Sequence, residues 1–144
     1  MLRVRDILAA KGDRVVTTKP FSSVKTIAQI LKVENIGALV VTEDGDAVVG
    51  IVSERDVVHG FTTHGGRLAD KTVGDIMTRE ALTCGPDDPV KEVMAVMTRH
   101  RVRHLPVLRN GRLAGLVSIG DVVKSRLDEA EMETSVMRDY VVSH

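Results

Sequence analysis

The sequence predicts an α+β protein made of two copies of one unit, each ordered turn–strand–helix–strand–strand–helix. Three observations predict it. A short stretch occurs twice: Gly50 to Val58 reads Gly-Ile-Val-Ser-Glu-Arg-Asp-Val-Val, and Gly115 to Val123 reads Gly-Leu-Val-Ser-Ile-Gly-Asp-Val-Val. Upstream of each, two apolar runs flank a Gly-containing turn, the mark of a hairpin. Upstream of each hairpin lies a segment with apolar residues at helical spacing. The copies are offset by 66 residues from Val24/Val90 to Gly45/Gly111, and by 65 at Gly50/Gly115, because the first hairpin is one residue longer. A near-constant offset marks an internal duplication, and the mixture of elements within each copy marks the α+β class.

In chain order, each copy opens on a short turn that lays apolar residues on the core. These are Val4, Ile7 and Leu8 around Asp6 in the first copy, and Val73, Ile76 and Met77 around Asp75 in the second. An extended piece follows, Arg14 to Thr18 and Ala81 to Cys84, each ending near a proline, Pro20 or Pro86, that stops regular structure. Val24, Ile27, Ala28 and Leu31, and likewise Val90, Val93, Met94 and Met97, stand at i, i+3, i+4, i+7, one buried stripe on each of two helices. Ser22 or Ser23 and Asp87 or Asp88 are available as N-caps, and the methionines read as core filler. The hairpins are Ala38 to Thr42 with Ala47 to Val52 around Asp44-Gly45, and His104 to Leu108 with Leu113 to Val117 around Asn110-Gly111. Pro106 has no N–H for a ladder, so its strand lies at an edge or pairs on one side there. Each hairpin then runs into the repeated stretch and a second helix. The copies are assigned to residues 1–62 and 70–127, with a linker at 63–69 inside the Gly-rich run Gly60 to Arg67, read as a loop. Residues 128–144 extend the last helix. Leu127, Met132, Val136 and Tyr140 are read as one side of it, a surface for another subunit.

Composition narrows the function. At 144 residues the chain is one compact unit or two very small ones, and a copy of roughly 60 residues is marginal alone, so the halves are expected to share a core. Hydrophobic residues make up 43% of the chain, which suits a folded domain, yet no apolar run approaches the ~20 residues of a membrane span. Met1-Leu2-Arg3-Val4-Arg5-Asp6 carries charges where a signal peptide needs an apolar segment, so a cytoplasmic location is expected. Twenty basic residues balance 20 acidic ones, against the basic excess of a nucleic-acid binder, and 2% aromatic residues leave no stacking platform. The lone Cys84 excludes an intrachain disulfide and a cysteine metal cage, and reads as a small semi-buried residue after a strand. His59, His64, His100 and His144 show no metal spacing. No nucleophile, base and orienter form a set, so no catalysis and no catalytic cofactor are expected.

The repeated stretch carries the chemistry. Ser53-x-x-Asp56 and Ser118-x-x-Asp121 each stand at a strand-to-helix junction and have the form of a capping box. Such a junction places N–H groups of a helix N-terminus beside a hydroxyl and a carboxylate. Those groups suit a ribose phosphate, with N–H groups for phosphate and a carboxylate accepting from sugar hydroxyls. The same residues serve equally as helix caps, and the two roles are compatible.

These features, twice over, resemble the cystathionine β-synthase (CBS) domain, which occurs in tandem pairs. The carriers are Val-x-Asp-Ile-(Leu/Met) at Val4 and Val73, the Gly-x-Val-Ser-x-x-Asp junctions at Gly50 and Gly115, and His104-Leu105-Pro106-Val107 before the second hairpin. The resemblance covers about residues 2–127. It implies two repeats packed with pseudo-twofold symmetry, leaving two clefts that in the family bind AMP, ADP, ATP, S-adenosylmethionine or NAD(H). It implies a homodimer as well. Carried over by position, Asp56 and Asp121 would hold ribose hydroxyls, with Ser53 and Ser118 near the sugar or phosphate. Thr17 with Ile36, Gly37 and Ala38, and Thr83 with Val102, Arg103 and His104 beside Pro106, would line the adenine and phosphate ends. Arg103 and His104 stand where basic residues meet phosphate, whereas the first copy has Gly37 and Ala38 there. Arg55, or Arg101 and Arg103 from the other half, would compensate. The cleft of Ser118 and Asp121 is therefore expected to be the better nucleotide site. Enzymes of the family carry their activity on a separate domain. The expected function is a stand-alone regulatory module that binds AMP, ATP or NAD(H) and signals to a partner protein, with no nucleic acid, no membrane and no metal. The alternative is a scaffolding homodimer with vestigial clefts.

Overall fold

Each repeat sends its opening helix across to the other. The computed structural model describes residues 1–143, with backbone alone for Val142 and Ser143, and His144 lies outside the described residues. Helix α1 (Val4–Lys11) precedes β1 (Thr17–Thr18), α2 (Val24–Glu34), the hairpin β2 (Ala38–Thr42) and β3 (Val48–Ser53), and α3 (Glu54–His64). A 3-10 turn (Gly65–Asp70) leads to the one-turn α4 (Val73–Ile76) and β4 (Thr78–Arg79). Then come α5 (Val90–His100), the hairpin β5 (His104–Arg109) and β6 (Arg112–Ser118), and α6 (Ile119–Ser143). Four strands form one sheet in the order β1-β2-β3-β4, with β1 parallel to β2 and the rest antiparallel. β5 and β6 form the second sheet, which a parallel bridge between Cys84 and Val107 extends.

The crossing is reciprocal. Val4, Ile7 and Leu8 of α1 are buried among Val90, Val93, Met97, Leu105, Val107, Val117 and Val122 of the second repeat. Val73 and Met77 are buried among Ile27, Leu31, Leu39, Val41 and Val52 of the first. The single shared core expected from chain length is thus two apolar clusters, each completed by a segment borrowed from the other repeat. Matching backbone clamps hold the exchange. Val4 N–H donates to the Asp88 carbonyl (3.0 Å), Arg5 N–H to Pro86 (2.9 Å) and Val90 N–H to Leu2 (2.9 Å). On the other side Val73 N–H donates to Ser22, Gly74 N–H to Pro20 and Val24 N–H to Lys71, all at 2.8 Å.

The glycines that open the repeated stretch make room for these visitors. A Cβ at Gly50 would lie 2.6 Å from the Thr78 carbonyl oxygen, and one at Gly115 would lie 2.7 Å from Leu8 Cδ2. The Asn110-Gly111 turn has both residues at positive φ (53° and 78°), the geometry that matches strand twist in a two-residue hairpin. Pro106 uses its carbonyl to accept from Cys84 N–H at 3.0 Å, on the side of β5 joined only by the Cys84 bridge.

Four local expectations change. Gly60 to Arg67 is not a loop: α3 continues to His64 and the 3-10 turn follows, because Gly60 lets Leu68 and Ile76 approach and Leu68 is buried. Ala81 to Cys84 pairs only at Cys84, and the strand that joins the first sheet is Thr78–Arg79. Ser23 caps α2, but the residue before α5 is Pro89, whose side chain caps nothing, while Asp88 accepts from Gly85 N–H at 2.8 Å. Leu127 does not share a side with Met132, since five residues turn a helix through about 140°.

Two outcomes follow from this packing. Gly50→Ala must displace backbone and is expected to cost about 1–3 kcal/mol in urea unfolding, whereas Gly115→Ala meets only the tip of a leucine and costs less. Burial, with the Asp88 carboxylate, pushes the Cys84 thiol up to about 12. A thiol reagent at pH 8 is expected to leave native protein unmodified and to label it on unfolding, read by absorbance.

Candidate functional site

β3 ends at Ser53 and β6 at Ser118, and a helix starts at the next residue in each case. The apolar strand runs to the core edge, and the Ser-x-x-Asp sequence then turns it into a helix by satisfying its own end groups. Asp56 N–H donates to Ser53 Oγ (3.4 Å), while Asp56 Oδ2 accepts from Ser53 N–H (2.8 Å) and from Ser53 Oγ (3.1 Å). Asp121 N–H donates to Ser118 Oγ (3.1 Å), and Asp121 Oδ2 accepts from Ser118 N–H (2.9 Å). The first N–H of each helix is also taken: Glu54 donates to the Gly37 carbonyl (3.1 Å) and Ile119 to that of Arg103 (2.8 Å). Each junction is therefore tied to the strand entry that the sequence flagged.

Sequence reasoning missed a second layer. The crossed segments deliver one side chain to each carboxylate. Thr78 Oγ1 donates to Asp56 Oδ1 (3.2 Å). Lys11 Nζ reaches Asp121 Oδ2 (2.7 Å) and the Leu116 carbonyl (2.9 Å). The two carboxylates thus differ. Both oxygens of Asp56 are engaged, whereas Asp121 Oδ1 takes no hydrogen bond among the described residues. The only signal in the sequence was that Lys11 and Thr78 each follow an opening motif.

The two junctions meet near His104. Its ring atoms lie 3.2–3.3 Å from where a Gly37 Cβ would be, so Gly37 is what admits the imidazole. Burial lowers the His104 pKa, and Lys11 and Arg103 lower it further against the opposing Asp121 and Glu54 carboxylates. A lowered pKa favours the neutral ring. Partial burial tends to raise the Asp121 carboxyl, but the hydrogen bonds and charge from Lys11 and Ser118 outweigh it, and the net shift is downward. Arg55 Nη1 bridges to the Arg101 carbonyl of the other repeat (3.4 Å), and Arg101 itself closes α5 at φ 55°.

The remaining sequence candidates separate into groups. Ile36 and Val102 are half-buried and pack onto the first and second clusters respectively. Ala38 and Pro106 are buried within their strands, while Arg55, Arg101, Arg103 and Thr83 are exposed. Thr17 lines an open groove of about 850 Å³ with Asp13, Val15, Arg109, Leu113 and Ala114, toward the hairpin ends. None of Ser53, Asp56, Ser118 or Asp121 lines that groove. Among the described residues no group of three or more His, Cys, Asp or Glu is placed to hold a metal ion. No helix among them is long and apolar enough to cross a membrane.

Two interlocked α+β repeats, each presenting a Ser-x-x-Asp junction at their common boundary, define a tandem-repeat module with paired junctions. The chain belongs to the CBS domain family, whose model matches residues 2–62 and 73–128. It is similar to the mitochondrial CBS domain-containing protein CBSX3 of Arabidopsis thaliana, with 37% identity over 125 residues, 84% of this chain and 59% of that protein. It is similar to YhcV of Bacillus subtilis, with 28% identity covering 88% of this chain and 87% of that one. The chain thus spans under two thirds of the plant relative but most of the bacterial one. Among solved structures, the CBS-domain protein ATU1752 of Agrobacterium tumefaciens superposes with a TM-score of 0.84 at 42% identity, covering 87% of this chain and 99% of that one. The CBS domain pair of protein MJ0100, crystallised with 5′-methylthioadenosine and S-adenosyl-L-methionine, superposes with a TM-score of 0.78 at 28% identity, covering 91% and 98%.

Lys11 depresses the pKa of both Asp121 and His104. Lys11→Met is therefore expected to move both titrations to higher pH in NMR. The folded Asp121 carboxyl titrates below its unfolded value near 3.8, so its contribution to stability is complete above that pH and lost as pH falls through the folded pKa. In Lys11→Met that acid loss is expected to shrink, as read from urea unfolding between neutral pH and pH 3.

Proposed function

We propose that the chain is a non-catalytic regulatory module. It binds an adenosine-containing ligand such as AMP, ATP, NAD(H) or S-adenosylmethionine between its repeats, taken as 1–62 and 70–127, and signals to a partner protein. One observation carries this reading. Asp121 is held by Ser118 N–H and Lys11 through a single oxygen, which leaves Oδ1 as a fixed acceptor with an ammonium 2.7 Å from its other oxygen. A fixed carboxylate suits ribose hydroxyls, and the neighbouring cation suits phosphate. The adenosine ligands held by the related MJ0100 pair support the same class.

In this reading Asp121 and, less favourably, Asp56 hold ribose, with Ser53 and Ser118 beside the sugar or phosphate. The entries Thr17 with Ile36, Gly37 and Ala38, and Thr83 with Val102, Arg103 and His104 beside Pro106, flank the base and phosphate ends. Because burial disfavours the charged form of His104, Lys11, Arg103 and, across the repeats, Arg55 and Arg101 supply positive charge. The module acts as a homodimer in the cytoplasm. Signalling follows if the ligand binds one arrangement of the repeats more tightly than another. The cleft of Asp121 lends itself to this, since α1 of one repeat and β6 of the other both touch that carboxylate.

Calorimetry with S-adenosylmethionine, 5′-methylthioadenosine, AMP, ATP and NADH tests the proposal. Binding of at least one is expected, and Asp121→Ala is expected to weaken it about 10- to 150-fold, the worth of a charged hydrogen bond of about 1.5–3 kcal/mol. No heat with any of them would favour the scaffolding homodimer with vestigial clefts.

A further inference from the structure

We infer that the outer part of α6 is one strand of a parallel two-stranded coiled coil, whose partner is a second copy of this chain. The inference deepens the homodimer proposed above by naming its surface. From Ala130 to Val141 every residue of the helix is exposed. A helical segment of this length is marginal in water without a partner. Val123 (42% exposed), Leu127 (58%), Met137 (64%) and Val141 (69%) remain open on a folded chain.

These residues share a seam. Val123, Leu127, Ala130, Thr134, Met137 and Val141 are spaced four, three, four, three and four, the 3.5-residue period of a coiled coil. The face of α6 that meets its own repeat centres on Val122 and Glu129, roughly a quarter-turn away, which leaves the outer seam open to a neighbour.

The charges beside the seam choose the partner and its direction. With Leu127, Thr134 and Val141 at a and Val123, Ala130 and Met137 at d, the g positions include Arg126 and Glu133, and the e positions include Glu131 and Arg138. In a parallel pair each g residue meets the e residue five places ahead on the other helix. Arg126 then faces the partner subunit's Glu131, and Glu133 faces the partner subunit's Arg138, so both pairs are of opposite sign. Arg126 is held by Glu129 of its own helix (3.2 Å), on the side away from the seam, so the Glu133–Arg138 pair is the one that selects the partner. An antiparallel pairing of the same seam sets Lys124 against the partner's Arg138, and sets Glu131 and Glu133 each against their own copies. Charge thus favours a parallel pair of identical helices.

Sedimentation equilibrium of the full chain tests this, with circular dichroism confirming that each variant is folded. The chain is expected to be a dimer. Glu133→Arg and Arg138→Glu are each expected to weaken it about tenfold, because two symmetry-related pairs change sign, and the double variant is expected to restore it. Thr134→Cys is expected to oxidise to a disulfide-linked dimer, since a parallel seam puts both copies of residue 134 in one layer, while the native Cys84 is buried. A monomeric wild type at micromolar concentration would overturn both the surface and the homodimer. A dimer unmoved by either reversal, or a Thr134→Cys variant that does not cross-link, would overturn this surface and leave the homodimer standing.

Discussion

Neither repeat can cover its own sheet, and the rest of the structure depends on how the chain solves that. A half-chain of this size buries little apolar surface and is marginal alone. The missing cover comes from the opening helix of the opposite repeat, Val4, Ile7 and Leu8 in one direction and Val73 and Met77 in the other. Because the exchange is mutual, one cluster cannot come apart without uncovering its twin. The motif glycines belong to the same solution: Gly50 and Gly115 are bare because the visitor passes over them.

The exchange also sets the chemistry of the paired carboxylates. Both visitors end beside the junction of the repeat they cover, but they end differently. α4 stops after one turn and its chain becomes β4, led by the β-branched Thr78, which pairs with β3 and offers a hydroxyl to Asp56. α1 continues through Ala9 and Ala10, strong helix formers, to Lys11, and offers an ammonium to Asp121. A neutral donor satisfies Asp56, while a cation makes Asp121 half of an ion pair. Helix propensity in a segment remote from the carboxylates thereby makes the two junctions unequal.

Much of this was legible in the sequence, and the remainder divides by physical cause. The hairpins, the α2 and α5 stripes and the two Ser-x-x-Asp junctions are local patterns, and local patterns are what periodicity and turn chemistry encode. The contact of Lys11 with Asp121 spans 110 residues. Periodicity says that Val4, Ile7 and Leu8 are buried but not against which repeat, so nothing local addresses Lys11 to Asp121. The charge state of His104 was not legible for a related reason. It depends on burial against Gly37 and on four ionic neighbours, only one of them adjacent in sequence. The difference between Gly37 and Arg103 in the two copies was visible in the sequence. Its consequence, room for an imidazole, needed the two repeats side by side.

The geometry also joins the two proposals through one element. Ser118 and Asp121 form the first turn of α6, and the seam residues stand farther along the same 25-residue helix. A helix of that length spans roughly 37 Å without a break in hydrogen bonding, so a tilt at its cap is carried to its far end. A ligand that draws on Asp121 or Lys11 changes the forces at that cap. If the change alters how two outer helices align, ligand binding and pairing are linked, and linkage is reciprocal: pairing must then alter ligand affinity by the same factor. Val122, fully buried one residue after Asp121, fixes the pivot of any such tilt against the core. The visitor α1 bears on both sides of that pivot, through Leu8 in the cluster and Lys11 at the carboxylate. The exchange that gives each repeat its core therefore also places the lever on which a bound ligand would act.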